Sequence, residues 1–561
     1  MIKVKTIAAP PDWIVVHRKE ILAVILLIAC GLRFWGIEWG IPAKENNYNF
    51  YHPDECYIMV AVNNIKIFDG KLYPGFQWAL ENCSGSLEVF SLINDVAGIA
   101  PSVYEPQVVT YSRQMKIDRR ANALLSVLAV LVLYLAGRRV YGTRIGLLAA
   151  FFLAILPVDV YAAHNLKPDV IATLLTIVTF YYVVRISDDD KMKHWLVAGL
   201  FSGLAASAKY TAIYSTLMIF IVYLQKVNFR NRDLLKRYTR RLSFSALSCI
   251  VGFIIGNPSA IIKTDVFLKT TKTMQWFQHD FFAGIGMTHF YTAPVLEVFY
   301  GWGAPLLLCI LLSVIIFVFM PWRKTSTVIS AYILFWTAFL LKASNFVAVH
   351  WLCLVSPFIM LVVSNACFYK LKYRMAETAK NTLMASAAVI TFFYAASYVS
   401  LFTGPDQRTE AKDWIEKNIP KNQKIAILTG WADFGIASCN PPLTPEKNTV
   451  QFMGSYTFPG PADNVFYIVT EEVNLTDYRY MEVSPEYADR FRFFDDLKAQ
   501  KDYTLIKTFS KYPRLFGLEY KFPTMVTDWH VPEIAVYIYE KKGINRFAID
   551  KSLKGKKAQI R

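Results

Sequence analysis

Apolar runs long enough to cross a bilayer, separated by short loops that collect lysine and arginine, constrain this chain more than any other feature. The first run, from Ile21 to about Trp39, carries only Arg33 and Glu38 as charges, and Lys3, Lys5, Arg18 and Lys19 precede it. Such a run crosses hydrocarbon as a helix, because its backbone groups must there hydrogen-bond among themselves. Basic flanks stay on the cytoplasmic side, so this helix runs outward. A content of 54% hydrophobic and 15% aromatic residues exceeds what one soluble core needs, and the mean hydropathy of +0.31 agrees. The formal charge of +17 would suggest nucleic acid if it formed a patch on a soluble domain. Spread over short loops between apolar helices, it records topology instead, and no nucleic-acid partner is expected.

The rest of the chain alternates consistently. Helices are expected from about Ala121 to Ala136, Ile145 to Val160 and Val170 to Val184. Arg138, Arg139 and Arg144 make one cytoplasmic turn, and Arg185, Lys191 and Lys193 mark another. Trp195 to Ala206 and Thr211 to Leu224 are too short to span unaided, so tilt or re-entrance is expected around a hinge at Lys209. The densest basic cluster, Lys226 to Arg241, should be cytoplasmic. Phe244 to Ile255 crosses back to an exterior loop of about 257–301 holding Lys263, His279 and His289. Three further helices follow, the last from about Leu383 to Phe402 and directed outward. The expected fold is a polytopic α-helical membrane protein of about eleven spans, residues 1–402, with a first exterior loop of about 41–117. Residues 403–561 read as a soluble α/β domain on the exterior face, because Asp406 to Pro420 has helical spacing and Lys424 to Leu428 reads as a strand.

No cleavable signal peptide is evident, and the first helix reads as an uncleaved signal anchor. Of eight cysteines only Cys56, Cys83 and Cys439 fall in exterior segments. Cys56 and Cys83 are a candidate disulfide or two free thiols. No CxxC or HExxH spacing occurs. Asn82-Cys-Ser84 and Asn474-Leu-Thr476 match the N-glycosylation pattern, which short sequences also meet by chance.

The ionisable residues that look out of place all fall on the exterior side: Asp54 and Glu55, His164, Lys167 and Asp169, Lys209, Lys263, Lys342 and His350. Polar groups near hydrocarbon are costly and point to function. The bland readings are helix capping for His52-Pro-Asp-Glu55, since proline suits a first helical position and acids suit the first turn. Lys209 can equally be a snorkelling lysine, and Asn165-Leu-Lys-Pro-Asp169 an ordinary helix start.

In order and context these residues resemble the GT-C superfamily of integral-membrane glycosyltransferases, especially the protein O-mannosyltransferase and aminoarabinose-transferase group that uses polyprenyl-phosphate sugars. The resemblance is carried by His52-Pro-Asp-Glu55 in the first exterior loop, Asp118-Arg-Arg120, Leu156-Pro157, His164-Asn-Leu-Lys-Pro-Asp169 and Gly203-Leu-Ala-Ala-Ser-Ala-Lys-Tyr210. Near the last exterior turn many relatives have an Arg-Tyr pair before a proline, where this chain has His350-Trp351 before Pro357.

The resemblance implies transfer of a sugar from a polyprenyl-phosphate donor to a protein, lipid or glycan acceptor beside membrane lipid, with inversion. The site then lies on the periplasmic or extracellular side of the cell inner membrane. A phosphate leaving group needs no proton, so a carboxylate and a few cations suffice. Asp54 is the expected general base and Glu55 its catalytic companion. Lys209 and Arg119 are expected at the donor phosphate, with Lys167 and His164 in reserve, and His52, Asp169, Tyr210 and His350 at the substrate. No cofactor is obligatory, although relatives leave room for a divalent Mg or Mn beside the acidic motif. The alternative readings are a transporter or flippase for a lipid-linked substrate and a non-catalytic membrane scaffold of the same superfamily.

Overall fold

The computed structural model describes residues 12–52, 54–55, 58–59, 62, 85–97, 107–262, 264–276, 298–320, 323–342, 348–421, 423–428, 443, 449–453, 465–471, 488–519 and 535–543. The three cysteines of the exterior segments, Lys263, His279, His289 and both N-glycosylation matches lie outside them.

After a single helical turn at Trp13–Val16 come α1 (Arg18–Phe34) and, past the first long loop, α2 (Gly85–Val96) and α3 (Gln107–Tyr141). The chain then turns back at Gly142, whose φ of +100° is open to glycine. α4 (Thr143–Ile155) and α5 (Pro157–His164) follow, then α6 (Pro168–Asp189), α7 (Met192–Ala208), α8 (Thr216–Lys226), α9 (Arg232–Gly256) and α10 (Thr264–Trp276). Next come α11 (Ala304–Phe319), α12 (Lys324–Lys342), α13 (Ser356–Cys367) and α14 (Arg374–Val399). Four helical runs among the described residues are long and apolar enough to cross a membrane: Val109–Tyr141, Pro168–Asp189, Arg232–Gly256 and Arg374–Asn418. The bent pair α4 and α5 makes a fifth when counted as one span.

The run read from sequence as one helix, Ile145 to Val160, is broken at Pro157 and bent by 54°. Proline has no N–H to give the Leu153 carbonyl. Arg33, buried in α1, supplies the missing donors, bonding to the carbonyls of Leu153 at 3.1 Å and Ala154 at 2.7 Å and to Ser126 Oγ at 2.7 Å. A charge inside the first apolar run is thus the cap of a broken neighbour. The segment after Lys209 begins as a tight 3-10 turn, Tyr210–Ser215, before α8.

α7 and α9 cross at backbone contact. A Cβ on Gly203 would lie 1.9 Å from the Cys249 carbonyl oxygen, and one on Gly252 would lie 2.2 Å from that of Leu200. Gly199/Gly203 and Gly252/Gly256 give each helix a small-xxx-small stripe that permits this approach. Lys209 caps the C-terminus of α7, so this crossing fixes the base from which its side chain extends.

α9 also begins twelve residues before the expected Phe244, at Arg232. Asn231 caps it by accepting from the N–H groups of Asp233 and Leu234. Arg241, Arg237 and Tyr238 reach Asp190 at the end of α6. Part of the basic cluster is therefore the first turns of a helix, held by an acidic partner.

Beyond α14, α15 (Gln407–Asn418) leads into β1 (Lys424–Leu428), β2 (Thr449–Met453) and β3 (Tyr467–Glu471), then α16 (Ala488–Lys498), β4 (Tyr503–Phe509), β5 (Arg514–Leu515), β6 (Leu518–Glu519) and β7 (Val536–Lys541). The main sheet has the order β2-β1-β3-β7-β4. β1 pairs parallel with β2 and β3, and β7 lies antiparallel between β3 and β4. Side chains alternate across a strand, so Ile425 and Ile427 pack with Ala411 and Ile415 of α15, while Ala426 and Leu428 pack with Phe494 and Leu497 of α16. The sheet has a helix on each face.

Candidate active site

The acidic pair splits. Glu55 is wholly buried, and Arg119 of α3, 1% exposed, grips it with Nε at 2.8 Å from Oε1 and Nη2 at 2.6 Å from Oε2. The Leu166 N–H adds a bond to Oε1 at 3.0 Å. Arg119 Nη1 donates to the carbonyls of Ile37 and Trp39, at 2.9 and 2.5 Å. A buried carboxylate and guanidinium are tolerated when bidentate geometry and further hydrogen bonds satisfy both. This pair ties the first loop to α3, to the exit of α1 and to the turn before α6.

Asp54 differs: its side chain is 46% exposed and pairs with Lys167, itself 2% exposed. Lys167 precedes Pro168, the first residue of α6, and Asp169 follows in the first turn. Asp169 is buried and receives a hydrogen bond from Lys209 Nζ at 2.5 Å. Its other oxygen lies 4.0 Å from His350 Nε2 and has no hydrogen-bond partner among the described residues. Lys209 Nζ also sits 5.9 Å above the Trp351 ring, an arrangement favourable to a cation. One helix start thus carries one member of each lysine–carboxylate pair, Lys167 and Asp169, and its positive dipole end favours anions.

The remaining expected residues occupy different settings. His52 is buried with Nε2 3.2 Å from the Tyr161 hydroxyl. His164 is buried, stacked on Phe402 at 4.3 Å, with its ring nitrogens 2.8 Å from the Val160 carbonyl and 2.9 Å from that of Trp35. Tyr210 is half-buried, with Phe253 and Phe267 at 6.5 and 5.9 Å. Lys167, Lys209, His350 and Asp54 are therefore gathered about the start of α6, while Arg119 and His164 face backbone carbonyls and buried partners. Among the described residues no group of three or more histidines, cysteines, aspartates and glutamates could hold a metal ion. Asp54, Glu55 and Asp169 each face a lysine or arginine of the chain.

Arg408 of α15 was not singled out from the sequence. It is fully buried, forks onto Asp406 with two bonds of 2.8 Å, and donates to the Tyr51 carbonyl at 3.1 Å. Its guanidinium stacks 4.1 Å from the Tyr51 ring centroid. Lys412, one turn on, donates to the Glu45 carbonyl at 2.7 Å. The helix that begins the sheet region therefore clamps the first loop immediately before His52. The sequence signal was an arginine at a helix start; its partner lies 357 positions away, and nothing local names it.

Residues 113–255 match a family model described as dolichyl-phosphate-mannose-protein mannosyltransferase. No curated protein sequence matches the chain significantly. Among solved structures the fold is similar to the archaeal oligosaccharyltransferase AglB from Archaeoglobus fulgidus in complex with an inhibitory peptide and a dolichol-phosphate. That likeness has 13% identity and a TM-score of 0.51 over 92% of this chain and 76% of that one. The apo form of the Archaeoglobus fulgidus oligosaccharyltransferase aligns at 16% identity and a TM-score of 0.48, over 84% of this chain and 71% of that one. ArnT from Cupriavidus metallidurans bound to undecaprenyl phosphate aligns at 11% identity and a TM-score of 0.47, over 93% and 97%. The chain thus shares its fold with that archaeal oligosaccharyltransferase. The matched residues 113–255 include Arg119, Lys167, Asp169 and Lys209.

Proposed function

We propose that the protein is a glycosyltransferase that moves a sugar from a polyprenyl-phosphate donor to an acceptor at the exterior membrane face, with inversion and with Asp54 as general base. The observation that carries this reading is the division within one dipeptide. Glu55 is taken up by Arg119 and the Leu166 N–H, whereas Asp54 keeps nearly half of its side chain at the surface. The matched mannosyltransferase pattern and the dolichol-phosphate of the AglB complex support a lipid-phosphate donor. Asp54 takes the proton of the acceptor hydroxyl or amine as that atom bonds the anomeric carbon. The bond from that carbon to the phosphate oxygen breaks, and its electron pair leaves with the polyprenyl phosphate. Lys209, held by Asp169 and flanked by His350 and Trp351, balances the charge that gathers on the phosphate. Lys167 holds the Asp54 carboxylate in place. Glu55 and Arg119 then act as the strut under the base. The chain supplies the cations beside its carboxylates, so we propose that turnover needs no divalent metal.

The test is a transfer assay with purified protein in lipid, a panel of radiolabelled polyprenyl-phosphate sugars, native membrane extract as acceptor source, and parallel reactions with chelator. Transfer from one donor that survives chelation and is lost in Asp54→Asn supports the reading. Full transfer by Asp54→Asn removes Asp54 from the base role, and loss on chelation with recovery on adding Mg or Mn overturns metal independence.

A further inference from the structure

β5 and β6 form a two-residue-loop hairpin separate from the main sheet, turned by Phe516 and Gly517 at φ of +50° and +83°. Two successive positive φ values are what a tight hairpin turn of the primed type requires, and asparagine, aspartate or glycine usually fills its first position. A bulky phenylalanine held left-handed goes against local preference. Phe516 is nevertheless 85% exposed and Leu518 75% exposed, so packing inside the protein does not account for them.

The hairpin lies along α14. The Arg514 N–H donates to Ser400 Oγ at 2.9 Å, just past the helix end, and the Phe516 ring sits 5.8 Å from that of Phe393. Phe393 is six residues before Val399, about 9 Å down the helix at about 1.5 Å per residue. Arg514 to Phe516 covers two strand residues, about 7 Å. The two lengths agree, so the hairpin runs back from the helix end toward the middle of the span. Beside it α14 exposes Val389 and Ile390, which with Phe393 form the apolar face a membrane helix turns to lipid. Charged groups stay at the hairpin base: Lys511 Nζ donates to the carbonyls of Thr403 at 2.6 Å and Pro405 at 3.2 Å, and Arg514 faces Glu519 at 3.8 Å. Phe402 just beyond α14 packs on Trp39 and His164, so this end of α14 is the end where Asp54 lies.

We propose that the Phe516–Leu518 tip inserts among the acyl chains of the leaflet on the Asp54 side, fixing the sheet region to the bilayer. Apolar tip, charged base and continuity with the lipid-facing surface of α14 select acyl chains as the occupant. With the Arg408 clamp, this gives the region two anchors: one on the loop that presents Asp54 and one in the membrane. The proposal goes beyond the catalytic reading and does not depend on it.

The test uses the full chain in phosphatidylcholine–phosphatidylglycerol nanodiscs, spin-labelled at Phe516→Cys, with Phe393→Cys and Lys507→Cys for comparison. Unsubstituted protein carried through the same labelling gives the background from native cysteines. Collision rates are read with oxygen, which concentrates in lipid, and with a water-soluble nickel chelate. The expected oxygen-to-nickel ratio at 516 matches that at 393 and exceeds that at exposed Lys507; a ratio equal to that at 507 overturns the proposal. A second variant, Phe516→Asn, keeps a residue that tolerates the left-handed turn. Hydrogen exchange of the 514–519 amides in nanodiscs should then quicken while β4 and β7 stay protected, and exchange equal to that of the unsubstituted protein overturns insertion.

Discussion

Replacing Glu55 by glutamine should damage the fold more than the chemistry. The substitution leaves the Arg119 guanidinium buried at 1% exposure, with the Ile37 and Trp39 carbonyls still bonded but no counter-charge. Removing one partner of a buried ion pair costs about 3–5 kcal/mol, or roughly two to four powers of ten in the folding equilibrium. The Leu166 N–H keeps an acceptor in the glutamine carbonyl, so the lower end is the better expectation. Reversible unfolding of the purified protein in mixed micelles would read the loss for Glu55→Gln, Arg119→Gln and the double variant. Stranding of a charge predicts that the double variant is more stable than the additive sum of the singles, with a coupling of about 1–3 kcal/mol. Transfer per folded molecule should meanwhile persist in Glu55→Gln at lipid-saturated, low-temperature conditions. Unchanged stability together with abolished transfer would refute the reasoning and make Glu55 a group that meets substrate.

Asp54→Asn should do the opposite: transfer per folded molecule lost, with a stability cost smaller than that of Glu55→Gln, since the carboxylate is half exposed although its partner Lys167 is buried, as checked by the same unfolding measurement. Lys209→Met should weaken donor binding about tenfold or more, the loss of one charge-assisted contact of roughly 1.5–3 kcal/mol, with an unchanged affinity in a binding titration returning that lysine to a snorkelling role. Gly203→Leu must push α9 off α7, since even a Cβ would lie 1.9 Å from the Cys249 carbonyl oxygen; a cost at or above the roughly 1–3 kcal/mol of overpacking should show as lost monodisperse protein on size exclusion. Arg408→Lys forfeits the fork on Asp406 and the stack on Tyr51, roughly 2 kcal/mol, and should slow transfer while leaving donor affinity unchanged, whereas equal changes in both would make it a general stability residue.

The proposed site depends on a division of labour among similar groups. Three carboxylates each meet a cation, yet their burial differs: Glu55 with Arg119 is sealed, Asp169 with Lys209 is sealed on one side only, and Asp54 with Lys167 opens to the surface on the carboxylate side. Burial strengthens such pairs and makes them costly to break, so the sealed pair serves as scaffold and the open one keeps a carboxylate able to take a proton. The α7–α9 crossing and the Arg408 clamp then set where Lys209 and the first loop stand.

Local signals in the sequence carried the local structure. Apolar runs marked α3, α6 and α14, helical spacing marked α15, and a short apolar run marked β1, whose observed bounds Lys424–Leu428 are those expected. The small-xxx-small stripes of α7 and α9 were also there to be read. Boundaries moved: α3 starts at Gln107 rather than about Ala121, inside the expected first loop, and α14 at Arg374 rather than about Leu383, while Pro157 cannot donate and so breaks one run, and an acidic partner at Asp190 lets α9 begin within a basic cluster. What the sequence determined by itself is where the chain can be buried in lipid, where it must bend, and that acids and lysines gather at one end of its helices, because these follow from torsions, periodicity and the cost of unpaired backbone. Tertiary structure alone decided which acid of Asp54-Glu55 is sealed, why Arg33 sits in an apolar helix, and that Arg408 grips Tyr51. Each of these is a pairing across 64 to 357 positions, and at that separation only packing chooses the partner.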